Sequence, residues 1–294
     1  MRLPSWLSQH VAALRALIIL TAITGIAYPL AITAVAQIPG LKDRADGSLI
    51  SVRGQLVGST LIGQSFTDKD GKPLTQYFQS RPSAAGAAGY DPTSTSASNL
   101  GPESVVDTLP DPAKAGDTGT ASLLTQVCSR SKAIGELDGV DGSRPFCTTD
   151  GVGAVLAVFH AQGLVGTVTR AVSLNQACPA TPFIGTYQGV SVECAKSGAD
   201  YSLGVVTPIR GDAPSTPAVP ADAVTASGSG LDPGISPAYA DLQIARIAKA
   251  RGTTPTAVRA LVEAHTTGRA LGFLGEPTVN VLELNLDLDR HYPA

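Results

Sequence analysis

Cysteine is the residue type whose number and spacing here point most directly to chemistry. The 294-residue chain holds four: Cys128, Cys147, Cys178 and Cys194. No two stand in Cys-x-x-Cys spacing and no histidine lies at a zinc-like offset, which argues against a structural zinc site. An even count beyond an apolar N-terminal segment points instead to two disulfides, with the pairing left open. The remaining chemistry-bearing residues do not converge. His10, His160, His265 and His291 are scattered, so neither a metal centre nor a catalytic triad is expected. A G-x-x-x-x-G-K-[ST] phosphate loop, a G-x-G-x-x-G fingerprint and a G-x-S-x-G elbow are all missing. Asp68-Lys69-Asp70-Gly71 lacks the later ligands of a calcium loop and reads as a hairpin turn.

Two glycine-rich stretches need weighing. Gly116-Asp117-Thr118-Gly119-Thr120 resembles the phosphorylation motif of P-type ATPases but lacks the lysine after the aspartate, and reads as a polar turn. The run from Thr225 through Ser227, Gly228, Ser229, Gly230, Leu231 and Asp232 to Pro233 can present backbone N–H groups to an anion or a partner. No lysine or arginine lies near it in sequence, so a tight turn with glycines at positive φ before a capped helix is expected. The chain therefore carries no recognisable active site of its own.

The elements around these residues set the frame. Only 15% of residues are charged and the formal net charge is -3, so the basic footprint that nucleic acid requires is missing. Ala16 to Ala36 runs without a charge. About 21 residues at 1.5 Å rise give roughly 31 Å, the thickness of a bilayer's hydrocarbon core. Gly25 and Pro29 are expected to bend this helix, and Thr21, Thr24 and Thr33 to meet neighbouring helices. The rival reading is a cleaved signal peptide, with Arg2 and Arg15 as its basic region and Ala34-Val35-Ala36 as its cleavage site. Length favours the membrane helix. Basic residues flank both ends, so orientation rests on the cysteines, which place the short N-terminus in the cytoplasm and the bulk outside.

Further along, Gln55 to Val57 and Thr60 to Ile62 read as strands broken by turns at Gly54, Gly58 and Gly63. Residues 81–102 and 211–220 read as loop or linker. Val152 to Phe159 and Val165 to Val172 carry β-type runs. Ser236-Pro237 is an N-cap with Pro in the first turn, opening a helix to about Arg251 that Gly252 ends. Thr254-Pro255 repeats the signal for a second helix carrying Val258, Leu261, Val262 and His265, closed by Gly268. Thr278 to Val281 reads as a strand. Beyond it, alternating Leu284, Leu286 and Leu288 suit a strand, whereas Asn280-x-x-Glu283 suits a capping box that opens a helix.

The segment from Val219 to Pro233, continued by Ile235-Ser236-Pro237, His265-Thr266, Gly268-Arg269, Leu271 to Pro277 and Val279 to Leu282, resembles the C-terminal signature of the C subunit of Kdp-type potassium-transporting ATPases. Gly58-Ser59-x-Leu61-Ile62-Gly63-Gln64-x-Phe66, Tyr77-Phe78-x-x-Arg81-Pro82-Ser83 and Ser98-Asn99-Leu100-Gly101-Pro102 resemble its earlier motifs, and Tyr28-Pro29-Leu30 fits its membrane segment. Two departures stand out. Residue 234 is Gly where the family usually has His. Residues 110–215 form a long middle that holds all four cysteines.

The resemblance implies a non-catalytic accessory subunit of a high-affinity potassium uptake complex. Its partners would be a channel-like potassium-translocating subunit, a P-type ATPase subunit, a small single-helix subunit and membrane lipid. It also implies a catalytic-chaperone role that raises ATP affinity, with Gln64 the first residue to name, no cofactor held firmly and ATP met only transiently beside the ATPase subunit. Assembly contacts are expected at Gly25, Tyr28 and Pro29, at Ser227, Gly228, Ser229, Gly230, Asp232 and Pro233, and at Gly275, Glu276 and Pro277. The expected fold class is α+β. A cytoplasmic stretch (1–15) and a transmembrane helix (16–36) precede an extracytoplasmic mixed α/β domain (37–109 and 216–294). A β-rich, disulfide-stapled insert (110–215) interrupts that domain, removable without loss of assembly.

Overall fold

The computed structural model describes residues 4–293, and the chain divides into two compact units, one ending at Leu61 and one running from Ile62.

In the first unit, α1 (Ser5–Ala22), a π-helical turn (Ile23–Ala27) and α2 (Tyr28–Ala36) form a continuous run of 32 residues, long and apolar enough to cross a membrane. At 1.5 Å per residue it extends about 48 Å. It begins well before Ala16. The wide turn has a local cause: Pro29 has no N–H to give to Gly25, and its ring crowds that carbonyl. A turn with one extra residue relieves both problems just before the proline. The hydroxyls of Thr24 and Thr33 donate back to the carbonyls of Leu20 and Pro29, both at 2.8 Å. After the short α3 (Lys42–Ala45), β1 (Leu49–Val52) and β2 (Gln55–Ser59) pair antiparallel across Arg53 and Gly54, both at positive φ. The strand expected at Thr60 to Ile62 is not formed. β2 runs on through Gly58 and pairs upstream instead, because the Arg53-Gly54 tip supplies the left-handed turn that a two-residue hairpin needs.

The second unit opens with a loop layer from Ile62 that runs to α4 (Leu123–Asp138). There follow β3 (Val155–Gln162), β4 (Val165–Ala177), β5 (Thr186–Tyr187), β6 (Val190–Ala195) and β7 (Val205–Pro208). They form one sheet in the order β5-β6-β4-β3-β7, antiparallel except for the β4–β6 pair. The disulfides are Cys128–Cys147 and Cys178–Cys194. Each closes a short loop, which removes about 3 kcal/mol of unfolded-state freedom. The chain continues through α5 (Ala221–Val224), β8 (Gly234–Ile235), α6 (Pro237–Ala250), α7 (Pro255–Ala264), β9 (Thr266–Thr267), β10 (Thr278–Asn280) and α8 (Val281–His291). Ser236, Thr254 and Asn280 cap α6, α7 and α8 through their side chains, so the capping-box reading of the C-terminus holds and the strand reading fails. His265 sits just past the end of α7, its ring 3.1 Å from Asp287.

The helical core gathers Phe78, Val224, Ile244, Ile247, Val258, Leu284 and Leu288. Phe78 enters it on an irregular segment that two buried side-chain amides hold in place of a strand partner. Asn285 accepts from the Phe78 N–H at 2.9 Å and donates to its carbonyl at 3.0 Å. Gln243 does the same for Gln79, at 2.7 and 3.2 Å. Buried backbone polar groups are costly unless bonded, so these amides let a loop lie in a core.

The segment 110–215 does not stand apart as an insert. It contains α4, a 16-residue helix whose Val127 and Ile134 pack on the helical core. Arg130 donates to the carbonyl of Val224 at 3.0 Å, and Arg144 to that of Val219. Asp138 and Arg246 meet at 2.7 Å, both buried. Arg246 also donates to Gln243 at 2.8 Å and to the carbonyls of Thr75 and Tyr77. Cutting at 110 and 215 would strip this cover from the core, so the deletion variant is now expected to fail at folding rather than to assemble.

Asp138→Ala should lower the unfolding free energy by about 3 kcal/mol, because it strands a buried guanidinium. Paired replacement Asp138→Leu with Arg246→Met should recover most of that loss, read from urea midpoints. Burial pushes the Asp138 carboxyl above the ordinary aspartate value, against the pull of Arg246. Its proton is thus held more tightly in the folded state. Stability from this group is full below the ordinary value and falls as pH rises through the raised one. Asp138→Asn should flatten that part of the pH profile.

Candidate functional site

A polar cluster forms where the Thr225–Pro233 segment meets residues 63–96. Arg81 is its centre. Its guanidinium makes a 2.9 Å ion pair with Asp232 and donates to the carbonyl of Thr225 at 3.3 and 3.4 Å. Ser83 donates to the carbonyl of Gly230 at 2.7 Å while its hydroxyl oxygen accepts from the N–H groups of Ala85 and Tyr90. Ser96 N–H donates to Ser229 carbonyl, and Gly63 N–H to Leu231 carbonyl at 2.9 Å. Tyr90 donates its hydroxyl to the Arg81 carbonyl at 2.6 Å, and burial pushes its phenol up to about 12. It therefore stays a donor through the physiological range.

Two glycines let the strands of this cluster close up. Gly230 is left-handed at φ +70, and a Cβ there would lie 2.7 Å from the Cβ of Ala85 and 2.8 Å from the Ser96 carbonyl. At Gly63 a Cβ would strike the Tyr90 ring and the Asp232 carbonyl. At Gly234, the position where the resemblance would place a histidine, a Cβ would collide with the Thr278 hydroxyl. The Thr278 hydroxyl thus fills the space that a side chain at 234 would need.

The Gly/Ser-rich segment is consequently not an open cradle for an anion. The N–H of Gly230 bonds Ser227, that of Leu231 bonds Ser229 and that of Gly234 bonds Asp232. Sequence proximity also misled on charge: Arg81, 144 residues before Thr225, stands at this segment, but its guanidinium is taken up by Asp232 and the Thr225 carbonyl. Arg81 and Asp232 were each legible as motif residues. Their pairing was not.

Gln64 is half-buried beside the cluster, and its carbonyl accepts from Ser80 at 2.8 Å. A cleft of about 250 Å³ adjoins it, lined by Ser65, Phe66, Gln79, Arg81, Ser83 and Tyr90. A larger cavity of about 790 Å³ lies around the Cys128–Cys147 bridge, with Lys132, Glu136, Arg144, Phe183 and Ile184 in its walls. Its cations are partly engaged, Lys132 near Glu136 and Arg144 with Val219. No group of three or more potential metal ligands occurs among the described residues. Gly275 and Glu276 are exposed on a hairpin between β9 and β10, and Pro277 is half-buried at its base. Gly25, Tyr28 and Pro29 belong to the first unit, at and just beyond the π turn.

An apolar helix of membrane-crossing length precedes an α+β unit in which the 225–233 segment is bonded to residues 63–96 of the same unit. The sequence profile of the K+-transporting ATPase c chain matches residues 10–109 and 205–290. The chain belongs to this family, that of the C subunits of Kdp-type potassium-transporting ATPases. The potassium-transporting ATPase KdpC subunit of Kineococcus radiotolerans is 38% identical over 291 residues, covering 99% of this chain and 98% of that protein. The proteins of the same name from Koribacter versatilis and Mycobacterium tuberculosis are 33% and 34% identical, covering 94% and 96% of this chain. The 291 residues matched in the Kineococcus radiotolerans protein span the 110–204 stretch that the profile leaves unmatched.

Gly230→Ala should cost about 2–4 kcal/mol, combining left-handed strain with overpacking. Gly228→Ala, where a Cβ would meet nothing within 4 Å, should stay within about 0.5 kcal/mol. Thermal or urea unfolding of the two variants checks the contrast.

Proposed function

We propose that this chain is a non-catalytic, single-pass subunit of a potassium uptake ATPase. It holds together the channel-like subunit, the P-type ATPase subunit and a small single-helix subunit. The observation that carries this reading is the collinear family match at both ends of the chain, which takes in the apolar helix and the 225–233 segment together. The helix enters the bilayer from the cytoplasm, and the unit from Ile62 lies outside. The pairing of all four cysteines supports that orientation, because disulfides persist in oxidising compartments.

This topology limits any effect on ATP. A bilayer with its headgroups is about 40 Å thick, so the outer unit cannot touch nucleotide bound on the inner side. A rise in ATP affinity then has to be a conformational coupling carried by the membrane helix and its neighbours. Gly25 suits that role, since small residues let helices approach closely in lipid. Ser227 to Pro233 acts at one remove, by keeping the outer unit in a single shape.

Tagged chain expressed with the other subunits should retain both large subunits through detergent purification, and a chain recovered alone would overturn the reading. An impermeant thiol reagent on intact cells should label only after reduction. Gln64→Ala should leave the apparent ATP requirement of the complex unchanged, whereas Gly25→Leu should reduce assembly or activity. A large rise in ATP requirement for Gln64→Ala alone, at matched yield, would point to direct nucleotide contact.

A further inference from the structure

The β1–β2 hairpin follows the apolar helix in the same compact unit, and the residues between them, 37–48, are turned back on themselves rather than extended. Gln37 and Ile38 donate to the carbonyls of Ala34 and Val35 in α2, Leu41 to that of Ile38, and Ser48 to that of Asp43 in α3. The Ser59 hydroxyl then ties the base of the hairpin to the Gly47 carbonyl at 2.7 Å. A chain of short hydrogen-bonded turns thus leads from the end of the apolar helix into the hairpin.

The two faces of the hairpin differ. Leu56 stands opposite Ser51 in the register and Leu49 lies two residues before Ser51, so Leu49 and Leu56 share one face. They are 59% and 62% exposed, whereas Ile50 and Val52 on the reverse are half-buried. No third strand joins this sheet among the described residues, and a two-stranded ribbon is marginal in water without a surface to pack on. Ile38 and Leu41 add two more exposed apolar side chains directly after α2.

Charge names that surface. Lys42 pairs with Asp46 at 3.2 Å. Arg44 and Arg53 are exposed and have neither an ion pair nor a side-chain hydrogen bond among the described residues. These two guanidinium groups, on the far flank of the helix from Arg2 and Arg15, are left for an anionic partner.

We infer that the Leu49–Leu56 face of the hairpin lies on the bilayer surface from which α2 emerges, with Arg44 and Arg53 on the phosphates of anionic phospholipids. The inference rests on the membrane reading above. Apolar side chains beside unpaired arginines, directly after a membrane helix, are the pattern of an interfacial element. The hairpin stays at headgroup depth, because the outer edges of an open two-stranded sheet carry backbone groups that hydrocarbon cannot satisfy and water or phosphate can. Each arginine held at an anionic surface strengthens association about fivefold.

The test uses the full chain, with the subunits that copurify with it, reconstituted in vesicles of phosphatidylglycerol and phosphatidylcholine. A photo-reactive benzoylphenylalanine in place of Leu56, and separately in place of Leu49, should give covalent lipid adducts on irradiation. The same group in place of Gln55, which pairs with Val52 on the reverse face, should give several-fold fewer. Omitting phosphatidylglycerol should lower the Leu56 yield at least about fivefold, and Arg44→Gln with Arg53→Gln should do the same in the anionic vesicles. Adducts with another subunit only, no adduct from either leucine position, or equal yields with and without anionic lipid overturn the proposal. Alkaline carbonate extraction of cell membranes tests the membrane reading separately: release of the wild-type chain into the wash would sink that reading, whereas retention of the chain without lipid adducts would sink the hairpin contact alone.

Discussion

The outer unit depends on two buried amides. Gln243 on α6 and Asn285 on α8 each give one acceptor and one donor to consecutive residues of a loop, and so carry Phe78 into the helical core. Neither a strand nor a helix occupies this position, yet the backbone there is fully bonded. The hold spreads outward. Gln243 also accepts from Arg246, which reaches Asp138 at the end of α4. On the other side the chain passes from Gln79 to Arg81 and so to Asp232. Two sets of polar contacts, joined by the short backbone stretch from Gln79 to Arg81, thus link the sheet-bearing middle of the chain, the helical core and the signature segment.

This arrangement explains why the middle segment is structural rather than decorative. α4 supplies Asp138, the counter-charge of a buried arginine that itself braces Gln243. The sheet packs through Val155, Ala157, Val172 and Leu174 against Leu124 of α4 and the loops carrying Val105 and Leu109. On its other face Leu156, Val158 and Val192 are covered by Phe183 and Ile184, on the stretch that the Cys178–Cys194 bridge closes. A sheet buried on both faces, in a chain with few aromatics, uses the bridge to pin a cover too short to stay in place by area alone.

What was legible in the sequence was local. Ser236, Thr254 and Asn280 announced their helices because a cap and its first turn are contiguous. The turn at Asp68 to Gly71 was legible for the same reason: Asp68 accepts from the N–H groups of Asp70 and Lys72. α4 was not, although Ser122 caps it and Gly139 ends it. Its buried face is Thr125, Cys128, Ser131 and Gly135, small and polar residues that leave no apolar period to detect. The candidate site was legible as motifs but not as an arrangement. Arg81 with Asp232, Phe78 with Asn285 and Gln79 with Gln243 lie 151, 207 and 164 residues apart, and no periodicity reports such distances.

The π turn at Ile23–Ala27 has a consequence for how the apolar helix presents itself. One additional residue in a turn offsets everything after it by about 100° around the axis. A helical wheel drawn straight through from Ser5 to Ala36 therefore assigns Thr33 and Val35 to the wrong azimuth relative to Leu17 and Thr21. The rod behaves as two screws with different starting phases, and neighbours packed along its two halves meet sides that a single wheel would never have grouped.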